Sequence, residues 1–170
     1  MMVIDAESQP VVIREASPTH YRDILTLFSD PDELFYIYPK GHHPFSFDQL
    51  KFIAESRSDL TVALAGERIV GFANLYNLVS DGWVFIGNLV VGKDFRGRGV
   101  GRKLIAHMEA LAKSQYQLPE ARISVFNTNT SALLLYSTLG YAPYAVEQRE
   151  TPAGRSVALI HMRKRLQEIT

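Results

Sequence analysis

Arg96-Gly97-Arg98-Gly99-Val100-Gly101 is the run of residues from which the rest of the chain can be read. An apolar segment of strand character leads into it, carrying Trp83, Phe85, Ile86, Leu89, Val90 and Val91. A helical pattern leads out of it. Val100, Leu104, Ile105, Met108, Leu111 and Ala112 recur at the offsets that place side chains on one helix face. The run therefore sits on a strand-to-helix turn. The first N–H groups of a helix have no partner inside it, and the aligned peptide dipoles add partial positive charge there. Glycine lets an anion come close to those groups, and Arg96, Arg98 and Arg102 add full charge. The turn is predicted to hold a phosphate or pyrophosphate. It is not a P-loop, because Leu104 follows Lys103 where Ser or Thr is needed. Nor is it a dinucleotide fingerprint, because Gly97, Gly99 and Gly101 alternate instead of following GxGxxG.

Arg96, Gly99 and Gly101 fit the (Gln or Arg)-x-x-Gly-x-(Gly or Ala) motif of the GNAT superfamily of acyl-CoA-dependent N-acyltransferases. A second segment resembles the same family. Asn129-Thr130-Ser131-Ala132, then Leu135-Tyr136, then Gly140-Tyr141 is similar to its Asn-x-x-Ala…Leu-Tyr…Gly-(Phe or Tyr) pattern. The resemblance spans roughly residues 69 to 164 and is closest to ribosomal-protein alanine N-acetyltransferases. It implies an α/β (α+β) fold, a mixed, mostly antiparallel sheet of about seven strands with four helices on both faces. It also implies a split between the fourth and fifth strands in which acyl-CoA lies.

The residues themselves give the same succession. Val11–Ile13 begin a strand, and Ser17-Pro18 marks a helix start carrying Tyr21, Ile24, Leu25 and Phe28. Residues 30–45 read as a loop broken by Pro31, Pro39, Gly41 and Pro44. Ser46 and Gln49 have capping-box spacing before a second helix. Strands follow at 61–65, 69–78 and 83–91, then the helix from about Gly99 to Gln115 and a strand at 122–126. A helix at 130–139 ends at Gly140, and a hairpin closes the chain with strands at 141–149 and 156–162. The order is β-α-α-β-β-β-α-β-α-β-β. A single domain is expected over 11–166, with a flexible N-terminus at 1–10.

Composition limits the alternatives. The 170 residues are 46% hydrophobic and 21% charged, with Lys+Arg and Asp+Glu both 18. A formal net charge of zero provides no global field for nucleic acid or a membrane surface. There are no cysteines, which removes disulfides, thiolate metal sites and a cysteine nucleophile. The histidines show no metal-ligand spacing, so no metal is expected. With no signal-like pattern in the first residues and no long apolar span, a cytoplasmic location is expected. The family contains many dimers, which leaves a homodimer open.

Moving an acetyl group from acetyl-CoA to a primary amine has three requirements: cofactor binding, deprotonation of the amine, and protonation of the departing thiolate. The anion-binding turn assigns the cofactor to Arg96, Gly97, Arg98, Gly99, Val100, Gly101 and Arg102, and the resemblance adds Leu89, Val90, Val91, Asn129 and Tyr136. Leu89–Val91 would bond the pantetheine arm through backbone groups, and Asn129 would contact the cofactor or cap a helix. Tyr136 would be the general acid, since a phenol can return a proton to a thiolate. The base is not legible. Ser124 stands where the alanine acetyltransferases carry a glutamate, and a serine cannot take that role directly. Asn88 is the candidate for orienting a water or the acceptor. Tyr36, Tyr38 and His42, in the aromatic stretch 35–47, are candidates for the acceptor side, as a lid or as a hydrophobic plug. Direct transfer in a ternary complex is the leading expectation. A protein or peptide N-terminal acetyltransferase and a non-catalytic acyl-CoA sensor are the alternatives.

Overall fold

In the computed structural model, which describes residues 9–167, a seven-stranded sheet runs β1-β2-β3-β4-β5-β7-β6. The strands are β1 (Val11–Glu15), β2 (Ser58–Ala65), β3 (Arg68–Val79), β4 (Trp83–Val91), β5 (Glu120–Phe126), β6 (Ala142–Glu150) and β7 (Ser156–Arg165). The described α-helices are α1 (Tyr21–Thr26), α2 (Pro31–Ile37), α3 (Phe47–Ser56), α4 (Val100–Ser114) and α5 (Thr130–Thr138). Every pairing is antiparallel except β4 with β5, where α4 forms the crossover between two parallel neighbours. Residues 1–8 of the N-terminal stretch expected to be flexible lie outside the described residues.

Two apolar clusters cover the two faces. On one face, Ala63, Ala65, Val70, Ala73, Leu75, Val84, Ile86, Ile123 and Val125 meet Val100, Leu104, Ile105 and Met108 of α4 and Tyr136 of α5. On the other, Val62, Leu64, Ile69, Phe72 and Val90 meet Ile24, Phe28, Leu34, Leu50 and Ile53 from α1 to α3. Successive strand residues point to opposite faces, and both faces are covered, so β2 is buried without interruption from Thr61 to Ala65. Small residues let α4 sit close to the sheet. A Cβ at Gly71 would lie 2.9 Å from Leu104 and 3.2 Å from both Ala63 and Val100.

The expected loop at 30–45 contains helix α2, which corrects the helix count. Asp30 accepts from the N–H of Asp32, Pro31 occupies the first turn, and Asp32 and Glu33 complement the dipole. The loop reading weighed Pro31 as a breaker, whereas the first turn of a helix tolerates proline. Ser46 accepts from Gln49 N–H as the spacing predicts, but the Gln49 side chain turns to the backbone of His42. Gly140 closes α5 in the left-handed conformation, with φ of 95°.

Candidate active site

The cleft arises from a pairing that stops. β4 and β5 are registered from Trp83↔Glu120 to Ile86↔Ile123, and no further pair joins them. β5 stays with β7 through Phe126↔Leu159. β4 turns away with β3 through a bulge, since Phe72↔Val90 and Asn74↔Gly87 leave an extra residue on β4. Asn88 occupies the bulge with φ of 48°. Asn74 Nδ2 donates to Asn88 Oδ1 at 2.7 Å, and Asn88 Nδ2 donates to the Ile37 carbonyl at 2.9 Å. Its amide thus ties β3, the bulge and α2 together, which favours a positioning role over holding a water or the acceptor. The opening between the strands is a cleft of about 1290 Å³.

At one end lies the glycine turn. Gly97 and Gly99 have φ of 75° and 81°, and a Cβ on either would meet nothing within 4 Å, so these residues border open space. The first intrahelical bond is donated by Lys103 to Gly99, which leaves the N–H groups of Val100, Gly101 and Arg102 ahead of it. Leu89, Val90, Val91, Arg96, Gly97, Gly99, Val100, Gly101, Arg102, Asn129 and Tyr136 all line the cleft. This size, the unhindered glycines and the 15-residue helix behind them fit a long anionic molecule such as acetyl-CoA.

The cations at this end divide. Arg96 chelates Glu33 at 2.6 and 2.8 Å and donates from Nε to the Val91 carbonyl at 3.1 Å, so its charge is shared with α2. The Glu33 carboxylate raises the guanidinium's affinity for its proton. Arg98 lies over the Phe95 ring at 5.2 Å and does not line the cleft, while Arg102 does. Asn129 makes no side-chain capping bond.

Tyr136 enters from α5. It is 6% exposed, and among the described residues no protein group hydrogen-bonds its hydroxyl. Among the described residues no buried side-chain polar atom lacks a partner, and Tyr136 lines the cleft, so that hydroxyl opens into it. Burial first, and the neighbouring Tyr76 phenol second, push its pKa well above the ordinary tyrosine value. The group stays protonated at neutral pH.

On the opposite wall the structure joins residues that the sequence keeps far apart. Ser124 Oγ lies 2.7 Å from His161 Nδ1, and His161 Nε2 lies 2.9 Å from Glu147 Oε2. Ser124 and His161 are direct partners across β5 and β7, and Glu147 is a diagonal neighbour on β6. The His161 bond, then Arg149, hold the Glu147 carboxyl below the usual carboxylate range. An ionised Glu147 can only accept, which puts a proton on Nε2; in the neutral imidazole Nδ1 then accepts from the Ser124 hydroxyl. Ser124 and His161 line the cleft beside Tyr76 and Phe85. No local spacing in the sequence joins Ser124, Glu147 and His161; only the strand register brings them together.

The acceptor candidates separate. Tyr36 lines the cleft and donates to Thr128 Oγ1 at 3.0 Å, joining α2 to the loop before α5. Tyr38 also lines it but is mostly packed, with its ring edge-on to Phe45 at 6.0 Å. His42 is exposed and does not line the cleft; its backbone N–H and carbonyl are held by the Gln49 side chain of α3. Among the described residues no His, Asp and Glu cluster is arranged for a metal, and no helix is long and apolar enough to cross a membrane.

A family model described as the acetyltransferase (GNAT) family matches residues 18–141. The chain belongs to that family and is an acetyl-CoA-dependent N-acetyltransferase. No curated protein matches the chain at the sequence level. Solved structures match its fold. The smu.2055 protein of Streptococcus mutans UA159 is 23% identical with a TM-score of 0.78, over 92% of this chain and 99% of that one. The ribosomal-protein-S18-alanine N-acetyltransferase of Escherichia coli is 18% identical at 0.73, over 95% and 97%. Spermidine N-acetyltransferase of Vibrio cholerae, solved with CoA and spermine, is 19% identical at 0.77, over 92% and 95%.

Proposed function

We propose that a single catalytic domain, residues 11–166, transfers acetyl directly from acetyl-CoA to a small primary amine. The carrying observation is that the Ser124–His161–Glu147 chain and the Tyr136 hydroxyl open into the same cleft as the glycine turn. Acetyl-CoA supplies the acyl group. The backbone N–H groups at the start of α4, with Arg102, hold its phosphates, and the unpaired edge of β4 at Leu89–Val91 offers backbone groups to its arm. Arg96 braces the turn through Glu33.

Deprotonation follows from the tautomer assigned above. The ammonium proton passes to Ser124 Oγ as the Ser124 hydroxyl proton passes to His161 Nδ1, and the Glu147 carboxylate stabilises the imidazolium. A serine at the position of the family's glutamate is thereby given a base behind it. Tyr136 then donates its proton to the departing thiolate and recovers one from the nitrogen as the amide forms, while His161 releases the first proton to water; the role suits a phenol that burial keeps neutral.

The test measures CoA-thiol release with an amine panel in the wild type, Ser124→Ala and His161→Asn, alongside acetyl-CoA binding. The expected result is release by the wild type and a lower kcat in both variants, with cofactor affinity retained. Acetyl-CoA binding without release for any amine would replace this reading with a sensor. Intact mass after acetyl-CoA alone tests the direct route: an acetylated enzyme would show Ser124 acting as a nucleophile instead.

A further inference from the structure

We propose that Arg57 is the receptor for an oxyanion on the acceptor, and that the amine acetylated here is a small amino acid carrying its own carboxylate. This inference rests on the amine-acetylating reading above. Arg57 follows α3 and lies against the acceptor wall. Its guanidinium stacks 4.1 Å from the Tyr76 ring centroid, and Nη1 donates to Asn74 Oδ1 at 3.1 Å. A glycine in β4 makes this placement possible: a Cβ at Gly87 would lie 2.2 Å from Nη1. Gly87 follows Ile86, the last β4 residue paired with β5, so the guanidinium sits where the cleft begins.

Among the described residues no carboxylate pairs with Arg57, and its polar partner is the neutral Asn74. Glu33 is the one carboxylate among the cleft-lining residues, and Arg96 holds it at the cofactor end. Lys40 also lines the cleft and has no ion pair among the described residues, while Arg149 is taken by Glu147. Burial lowers the Arg57 pKa, and nearby phenols offset this in part. Arginine remains charged at neutral pH all the same. A half-buried cation without an anion is a costly arrangement that a ligand can relieve. The planar fork of unused guanidinium N–H groups matches a carboxylate.

The wall also sets the length of the acceptor. Tyr76 has Arg57 over its ring, and its phenol reaches Ser124. An amine beside Ser124 and an acid group at Arg57 would thus be bridged along the single ring of Tyr76, a short span that suits a small amino acid. A polyamine would bring its second ammonium toward Arg57, and the one carboxylate among the described cleft-lining residues, Glu33, is already held by Arg96.

The experiment compares L-leucine, L-phenylalanine and L-glutamate with their methyl esters and decarboxylated amines, and with spermidine. It reads CoA-thiol release, and separately the melting temperature of the full chain with CoA and each compound. Each acid should exceed its ester and amine by about 10- to 100-fold in kcat/KM, the factor expected of a hydrogen bond to a charged group. Arg57→Gln should abolish that ratio, mainly through acceptor KM, and Arg57→Lys should keep part of it. Esters, amines or spermidine used as well as the acids would overturn the proposal, as would a ratio that survives in Arg57→Gln. If nothing is turned over, yet the acids alone raise the wild-type melting temperature and not that of Arg57→Gln, the receptor stands and the acetylation reading fails. Neither turnover nor an acid-specific shift overturns the receptor as well.

Discussion

Replacing Tyr136 with phenylalanine isolates one atom of the proposed chemistry. The ring is buried beside Tyr141, at 6.4 Å between centroids, and phenylalanine fills the same space. The hydroxyl has no protein partner among the described residues, so its removal orphans no donor or acceptor. The stability change should therefore stay within about 1 kcal/mol. The chemical effect should be larger. A positioned general acid contributes about 10²–10⁴-fold, or about 2.7–5.5 kcal/mol of barrier. The assay is single-turnover thiol release at saturating acetyl-CoA and acceptor, so that product release does not mask chemistry. The expected result is a fall in rate of that order with cofactor affinity and melting temperature near wild type. An unchanged single-turnover rate refutes the assignment. A rate loss accompanied by an equal loss of cofactor affinity refutes it too, because the hydroxyl would then be a binding contact.

The remaining predictions probe other parts of the site. Gly99→Val forces a β-branched residue into φ of 81° and fills open space at the glycine turn, so acetyl-CoA KM should rise at least tenfold, roughly the effect of a blocked anion contact; normal affinity in a folded variant would move the phosphates elsewhere. Glu147→Gln should lower kcat by less than His161→Asn and alter the pH profile. Its stability effect should be below about 1 kcal/mol, because the Glu147–His161 bond is exposed; an unaltered pH profile would remove Glu147 from the relay. Tyr38→Ala should cost about 3–5 kcal/mol as a buried aromatic truncation, read as a lower denaturation midpoint, whereas Tyr36→Phe should change acceptor KM alone. High pH should destabilise the fold. The bond to Asp59 pushes Tyr116 up to about 12, and burial raises Tyr136 and Tyr141 further. The folded state then keeps protons that the unfolded chain releases, so stability is full below about pH 10 and falls as pH rises through 12. A urea midpoint that does not fall between pH 9 and 11.5 would contradict this.

Local signals were sufficient wherever the physics is local. The glycine turn, the apolar face of α4, the Gly140 cap and the hairpin turn at 151–154 each depend on residues a few positions apart, and all are readable from the sequence. Helix α2 was also written locally, in Asp30-Pro31, but the prolines that follow outweighed it. Even the Glu147–His161 contact follows from the hairpin, since its turn fixes the register of β6 against β7. Tertiary structure alone decided the rest. The pairing of β5 with β7 joins strands separated by α5 and β6, and only that register puts Ser124 on His161. The point at which β4 leaves β5 depends on a bulge tied to α2 through Asn88 and Ile37. The contact of Arg57 with Tyr76 and Asn74 likewise crosses from the end of α3 to the sheet. Periodicity reports which face a residue occupies, but not which distant residue shares that face. The sequence by itself determined that a strand-turn-helix would present N–H groups to an anion. The packing of seven strands determined which base, which acid and which cation look into the cleft beside it.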